Sequence, residues 1–113
     1  MRRIPDLSRR LVLENAERQP DGAGGHVETW VALGEHWAEV TLRSGRERAE
    51  VSMPVSTIAW RITIRASPIG SPSRPRPGQR FRDGARVFAI RAVAEQAVSA
   101  RYLTCFAEEE EAT

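Results

Sequence analysis

Apolar and polar side chains alternate with a period of two along much of this chain, most regularly over residues 58–65. Such alternation is typical of antiparallel strands that bury one face and expose the other. We therefore predict a strand here, with its apolar face toward a core. The apolar face carries Ile58, Trp60, Ile62 and Ile64, and the polar face carries Arg61, Thr63 and Arg65.

The same pattern predicts further short strands, which cover residues 10–14, 26–31, 36–42, 79–82, 86–93 and 101–106. Turn signals separate them, and Asp83-Gly84 between two of them is a strong signal for a two-residue hairpin. The side chains predicted to face the core include Ala38, Val40, Leu42, Phe88, Ile90 and Ala92. Trp37 lies on the opposite face of its strand, where either the twist of a barrel buries it or it is an exposed interface anchor.

One short helix is predicted over about residues 45–53. Ser44 and Glu47 have the spacing of a capping box, in which each side chain bonds the other residue's backbone. Pro54 limits the helix to about two turns because proline breaks the helical hydrogen-bond ladder. The fold class is therefore mainly β: a small antiparallel β-barrel or sandwich of six or seven strands with one short α-helix.

Residues 67–78 are rich in proline, serine, glycine and arginine and can form neither a helix nor a central strand. We predict a long exposed loop, which is either a solvated polyproline-like segment, a contact to a partner or to nucleic acid, or a ligand for an SH3-type groove. The candidate contact residues in this loop are Ser71, Ser73, Arg74, Pro75, Arg76 and Pro77.

A chain of 113 residues supports one domain, which we place at residues 1–107 with an acidic tail at 108–113. The tail contains four consecutive glutamates, Glu108 to Glu111, and is either a solvated, mobile end or a segment that docks on a basic surface of the next subunit. All 17 basic residues are arginine, and the formal net charge is only +2. Arginine-rich coding is typical of GC-rich genomes, and the charge alone does not establish nucleic-acid binding.

Candidate chemistry is sparse. The two histidines, His26 and His36, lie on separate predicted strands without metal-ligand spacing, and the single cysteine, Cys105, sits in an apolar strand as a buried thiol would. Catalysis, a resident metal and a cofactor are therefore not expected. No apolar run reaches the ~20 residues of a membrane helix, and no secretory signal is visible, so we expect a protein assembled from the cytosol.

Five short motifs in register from about residue 11 to residue 106 resemble the head–tail joining proteins of long-tailed phages, also called head-closure or stopper proteins. They are Asp21-Gly22-Ala23-Gly24-Gly25 before Glu28-Thr29-Trp30, then Trp37-Ala38-Glu39-Val40, Ser44-Gly45-Arg46-Glu47, Trp60-Arg61-Ile62-Thr63-Ile64-Arg65, and Asp83-Gly84-Ala85-Arg86-Val87-Phe88-Ala89-Ile90. The chain departs from the family pattern at Trp60, where the family typically has histidine, and at Ala85, which is an extra residue.

The resemblance implies a ring of six or twelve copies in the neck of a phage or gene-transfer-agent particle, reached from the host cytoplasm. There it would lie between the adaptor ring on the head side and the tail terminator ring, and it would retain packaged double-stranded DNA without sequence readout. The expected interface residues are Trp37, Arg46, Glu47, Arg61, Arg65, Val87, Ala89, Glu108 and Glu109. The alternative is a small nucleic-acid-binding barrel of the OB or SH3-like type. Such barrels stack bases on exposed aromatic side chains, and here Trp60 lies on the apolar face of its strand, so that aromatic surface is missing.

Overall fold

The computed structural model describes residues 4–44, 55–96 and 101–112 as a closed antiparallel β-barrel. Its strands are β1 (Arg9–Pro20), β2 (His26–Ser44), β3 (Val55–Arg65), β4 (Arg80–Asp83), β5 (Arg86–Glu95) and β6 (Tyr102–Ala112). Their order around the barrel is β1-β2-β3-β6-β5-β4, and β4 closes it by pairing with β1. The prediction of a mainly β chain is confirmed, whereas the helix predicted over 45–53 lies outside the described residues.

β2 is one continuous strand of 19 residues where the alternation predicted two separate strands. The pairing of β1 with β2 shifts by one residue between Leu13 and Glu14, where Leu33 is an extra, bulged residue of β2. The ladder of paired residues continues on both sides of this bulge. Gly34 follows it with a φ of 142°, a conformation that glycine adopts without the strain a side chain would cause. The apparent gap in the pattern is therefore an irregularity within one strand.

The core forms where the inward faces of the six strands meet. Its buried apolar members are Leu11, Leu13, Ala38, Ile62, Ile64, Phe81, Phe88, Ile90, Leu103, Cys105 and Ala107. The predicted inward residues Ile62, Ile64, Phe88 and Ile90 are among them. In the described residues, no helix is long and apolar enough to cross a bilayer.

Two predicted core residues are exposed instead. A bulge between Ile90 and Ala92 shifts the alternation of β5, so that Ala92 faces solvent and Val93 packs on the core. Leu42 is 56% exposed because it lies at the last regular pair before a second bulge, near the end of the barrel. The first error arises where a bulge breaks the period of two, and the second where β2 reaches the end of the barrel.

The hairpin between β4 and β5 turns at Gly84 and Ala85, with Asp83 and Arg86 as the closing pair. The two-residue turn thus lies one residue later than Asp83-Gly84. Gly84 has a φ of 59° and Ala85 has a negative φ, a combination typical of a type II′ turn.

β6 extends to Ala112, whereas the predicted strand ended at residue 106. The acidic segment expected to be a mobile tail therefore pairs with β3, for example Ile58 with Glu109. Successive residues of a strand point to opposite faces, so Glu108 and Glu110 face outward while Glu109 faces inward with only 4% of its surface exposed. The strand tolerates this because the inward carboxylate has an internal partner, described below.

Two ribbons project from opposite ends of the barrel. β1 meets β4 only up to Glu14, and β2 meets β3 only from Ala38 onward, so among the described residues the hairpin of residues 15–20 and 26–31 has two free edges. We call this hairpin the arm. At the other end, Val55–Ile58 of β3 and Glu109–Ala112 of β6 extend past the last pair of β6 with β5. These extensions contribute to a longest dimension of 56 Å.

Candidate interaction surfaces

The loop of residues 66–79 lies at the arm end of the barrel and is tied to it. Ser73 accepts a hydrogen bond at its backbone oxygen from His36 Nε2, at 2.7 Å. Arg74 Nη1 donates to the backbone oxygen of Ser67 at 2.9 Å, and the backbone N–H of Arg76 donates to Gln79 Oε1 at 2.8 Å. The loop is ordered by these bonds.

This packing corrects the expectation of a fully exposed loop. Pro75 is completely buried, and only 18% of the Arg74 side chain is exposed because it pairs with Glu95 at 3.5 Å. Of the six predicted contact residues, Pro75 has no surface to offer a partner, whereas Ser73, Arg76 and Pro77 are exposed. A contact through this loop would therefore use its outer turn.

The root of the arm is fixed by a cluster of side chains that lie far apart along the chain. Arg80 stacks on Trp30 with its Cζ 4.0 Å from the ring centroid, and its Nε donates to Glu14 Oε1 at 2.7 Å. Arg82 Nε donates to the other oxygen of Glu14 at 2.9 Å. Glu14 is only 5% exposed, and the two arginines that clasp it hold the arm against β4. The partners are 66 and 68 residues apart in sequence, so no spacing rule brings them together.

The arm itself presents an apolar stripe beside its free edges. Val27 is 50% exposed and Val31 is 37% exposed, and the pairing of Gln19 with Val27 and of Asn15 with Val31 puts both valines on one face. Free strand edges carry unpaired N–H and C=O groups that can pair with another chain. The arm therefore has the features of a contact surface.

At the opposite end of the barrel, Glu109 is a second buried carboxylate that is hydrogen-bonded by arginine. Arg86 donates two hydrogen bonds to Glu109, from Nε at 2.8 Å and from Nη2 at 2.9 Å, and Trp60 Nε1 donates a third at 3.0 Å. The Trp60 ring packs edge-to-face on Phe88 at 6.3 Å. Glu109 was expected at an interface, and the structure instead makes it an internal residue of this cluster.

The environments of the two carboxylates shift their pKa values in the same direction. For Glu109 the hydrogen bonds from Arg86 outweigh burial and lower the pKa. For Glu14 burial raises the pKa, but the hydrogen bonds and charges of Arg82 and Arg80 together outweigh it, and the net pKa is lowered. Both groups are thus held ionised in the folded chain.

We expect the free energy of unfolding to fall as the pH drops below 4.5, the ordinary pKa of a glutamate. A carboxylate with a lowered folded pKa contributes stability above its unfolded pKa and loses it as the pH falls toward the folded value. Urea unfolding followed between pH 7 and about pH 3 measures this loss. The Glu14→Gln and Glu109→Gln variants should lose less stability over the same interval, and a loss as steep as that of the wild type would contradict this origin.

The outer face of β2, β3 and β6 carries two arginines against one aromatic ring. Arg43 and Arg61 both lie against the ring of Phe106, with Cζ 4.7 Å and 6.0 Å from its centroid. Arg65 follows on β3, and both Arg61 and Arg65 are exposed as the alternation predicted. Trp37 is 57% exposed, which decides between its two readings in favour of an exposed position.

The remaining expected interface residues are less prominent. Val87 and Ala89 are half-buried, and Glu108 pairs with Arg91 at 3.4 Å. Arg46 and Glu47 lie outside the described residues. Cys105 is buried, and burial raises the pKa of its thiol to about 12, so it is held as a thiol within the core. No cluster of metal-ligating side chains is present in residues 4–44, 55–96 and 101–112.

Comparisons with known proteins give a consistent picture. A family model described as "Phage head completion protein" matches residues 2–110. A chain in a structure titled "Virion of native gene transfer agent (GTA) particle" is 53% identical, with 97% of this chain and 100% of that chain covered and a TM-score of 0.84. Protein SF1141 of Shigella flexneri 2a shares the fold at 21% identity and a TM-score of 0.60, over 88% of this chain and 89% of that one. Among curated proteins no match is found.

Proposed function

The chain belongs to the phage head completion protein family, and on that premise we propose that it is a structural head-closure component of a gene-transfer-agent or phage neck. In this role copies of the chain form a ring between the portal–adaptor complex and the tail terminator. The ring retains the packaged DNA and gives the tail its docking platform. The observation that carries the proposal is the 53% identity, over nearly the full length of both chains, to a component of a gene transfer agent virion.

The shape of the molecule supports a place within a ring. A ring subunit needs two different lateral contacts as well as two axial faces. The barrel offers the arm with its free edges at one end and the acidic ribbon of β3 and β6 at the other. A closed barrel between them holds the two projections at a fixed separation.

Contact with DNA would rely on charge and not on base recognition. Exposed arginines such as Arg65 and Arg76 suit the phosphate backbone, and each is repeated once per copy around a ring. We propose that the exposed turn of the 66–79 loop, around Ser73 and Arg76, meets the adaptor ring or the DNA. The hydrogen bonds that hold the loop would help it keep its conformation when it contacts a partner.

A particle-producing strain that lacks this chain should accumulate DNA-filled heads and free tails that do not join. Negative-stain electron microscopy counts joined particles, and nuclease treatment measures how much packaged DNA becomes accessible. Supplying the wild-type chain should restore joined, nuclease-resistant particles.

The Arg76→Glu variant tests the loop in the same strain, with Arg10→Glu on β1, outside the arm, as a matched exposed control. Poor rescue by the loop variant together with an unchanged unfolding midpoint supports a loop contact. Normal joined particles in the strain without the chain would refute the head-closure role altogether.

A further inference from the structure

Two positive charges share one aromatic ring on the outer wall of the barrel. Arg43 and Arg61 approach Phe106 from neighbouring strands, and both side chains are exposed. In the described part of the chain neither guanidinium forms an ion pair. Two like charges held against the same ring repel each other, so the pair is stabilised when an anion joins it.

The stacked geometry prepares the pair for a carboxylate. A guanidinium that stacks on a ring keeps its N–H donors free at its edge, where they match the two oxygens of a carboxylate. The ring also limits the rotamers of both side chains, which reduces the entropy lost on binding. This wall is therefore suited to bind an acidic side chain.

The same chain carries an exposed acid that lacks a partner within the described residues. Of the glutamates of β6, Glu108 pairs with Arg91 and Glu109 is taken up by Arg86. Glu110 is exposed on the outward row of the ribbon that projects past the end of the barrel. Four residues of strand, about 13 Å, separate it from Phe106, and it forms no contact with Arg43 or Arg61 of its own chain.

We propose that Glu110 of one copy docks between Arg43 and Arg61 of a second copy. This inference rests on the proposed ring and names the contact that builds it. The acid and the arginine pair lie on different patches, so the contact is heterologous. Each copy gives its ribbon to one neighbour and receives the ribbon of the other on its wall, an arrangement that repeats around a closed ring.

Charge reversal tests the contact in the complemented strain. Arg61→Glu and Glu110→Arg should each lower the yield of joined particles by about tenfold or more, since each places like charges together. The chain that carries both changes should recover most of the loss, because residues 61 and 110 again have opposite charges while Arg43 keeps its own. Arg10→Glu, on the outer face of β1 and with a side chain that is 62% exposed, is the matched control and should have little effect.

Co-production of the two single variants separates a contact between copies from one within a chain. In a ring with an even number of copies, alternation of Arg61→Glu and Glu110→Arg chains puts opposite charges at every contact, so two inactive chains should rescue each other. Unfolding midpoints equal to the wild type show that each variant folds.

A normal yield of joined particles with Arg61→Glu would overturn the contact. The strain that lacks the chain tests head closure separately, so failure of the contact can be told from failure of the proposed function. Loss that neither the double variant nor the mixture repairs would also overturn it, and would point to the DNA backbone as the ligand of Arg61. An equal loss with Arg10→Glu would also overturn it, because the defect would then not depend on the arginine pair.

Discussion

Phe88→Ala should lower the free energy of unfolding of the barrel by about 3–5 kcal/mol. Phe88 is fully buried, its ring packs edge-to-face on Trp60 at 6.3 Å, and the guanidinium of Arg86 lies 5.0 Å from its centroid. Truncation to alanine removes the transfer free energy of the ring and leaves a cavity that the closed barrel cannot collapse to fill. A domain of this size is stable by only about 5–15 kcal/mol, so this single change removes a large share of the total stability.

Urea unfolding monitored by circular dichroism measures the change. Val27→Ala on the arm is the control, because Val27 is 50% exposed and its loss should cost well under about 1 kcal/mol. A Phe88→Ala midpoint equal to that of the wild type would contradict the core described here.

The local part of the fold could be predicted from the sequence because alternation reports directly on which side chains face inward. Ile62 and Ile64 on β3 and Phe88 and Ile90 on β5 are buried as predicted. The pattern fails at bulges, where one extra residue exchanges the two faces. Ala92 is exposed for this reason, and the sequence marks no such position unless the pairing partner is known.

Charged strands were missed for a different reason. Residues 15–20 of β1 and the end of β6 have polar compositions that are typical of loops and tails, whereas residues 26–31, the other strand of the arm, were predicted as a strand. The strand structure at the end of β6 depends on pairing with a segment far away in the chain, such as Thr57 with Glu110. Only the three-dimensional register supplies that information.

The candidate surfaces were predictable in kind but not in detail. The family resemblance drawn from five short motifs is confirmed, and the exposed positions of Arg61 and Arg65 followed from alternation. Nothing local indicated that Pro75 is buried or that Glu109 has an internal partner 23 residues away. Interface residues chosen from charge alone therefore mix surface groups with groups that hold the barrel together.

Arg86→Ala should be the most damaging single change to a charged residue, with a loss of roughly 3 kcal/mol in the free energy of unfolding. Glu109 would keep its inward position, with 4% exposure, and would retain only the Trp60 N–H as a hydrogen-bond donor. A buried carboxylate without its cation costs far more than the intact pair contributes. The effect should be larger than that of Arg91→Ala, which breaks the exposed pair with Glu108, because surface pairs contribute about 0–1 kcal/mol.

The double variant Arg86→Ala with Glu109→Gln separates the buried charge from the lost packing. Glutamine removes the charge and keeps an oxygen that accepts the hydrogen bond from Trp60 Nε1. If the uncompensated carboxylate causes the loss, the double variant is more stable than Arg86→Ala alone at pH 7, and the difference shrinks as acid protonates Glu109 in the single variant. If the two variants unfold at the same urea concentration at every pH, the loss comes from the packing of Arg86 on Phe88 and Trp60, and the inward glutamate does not depend on its cation.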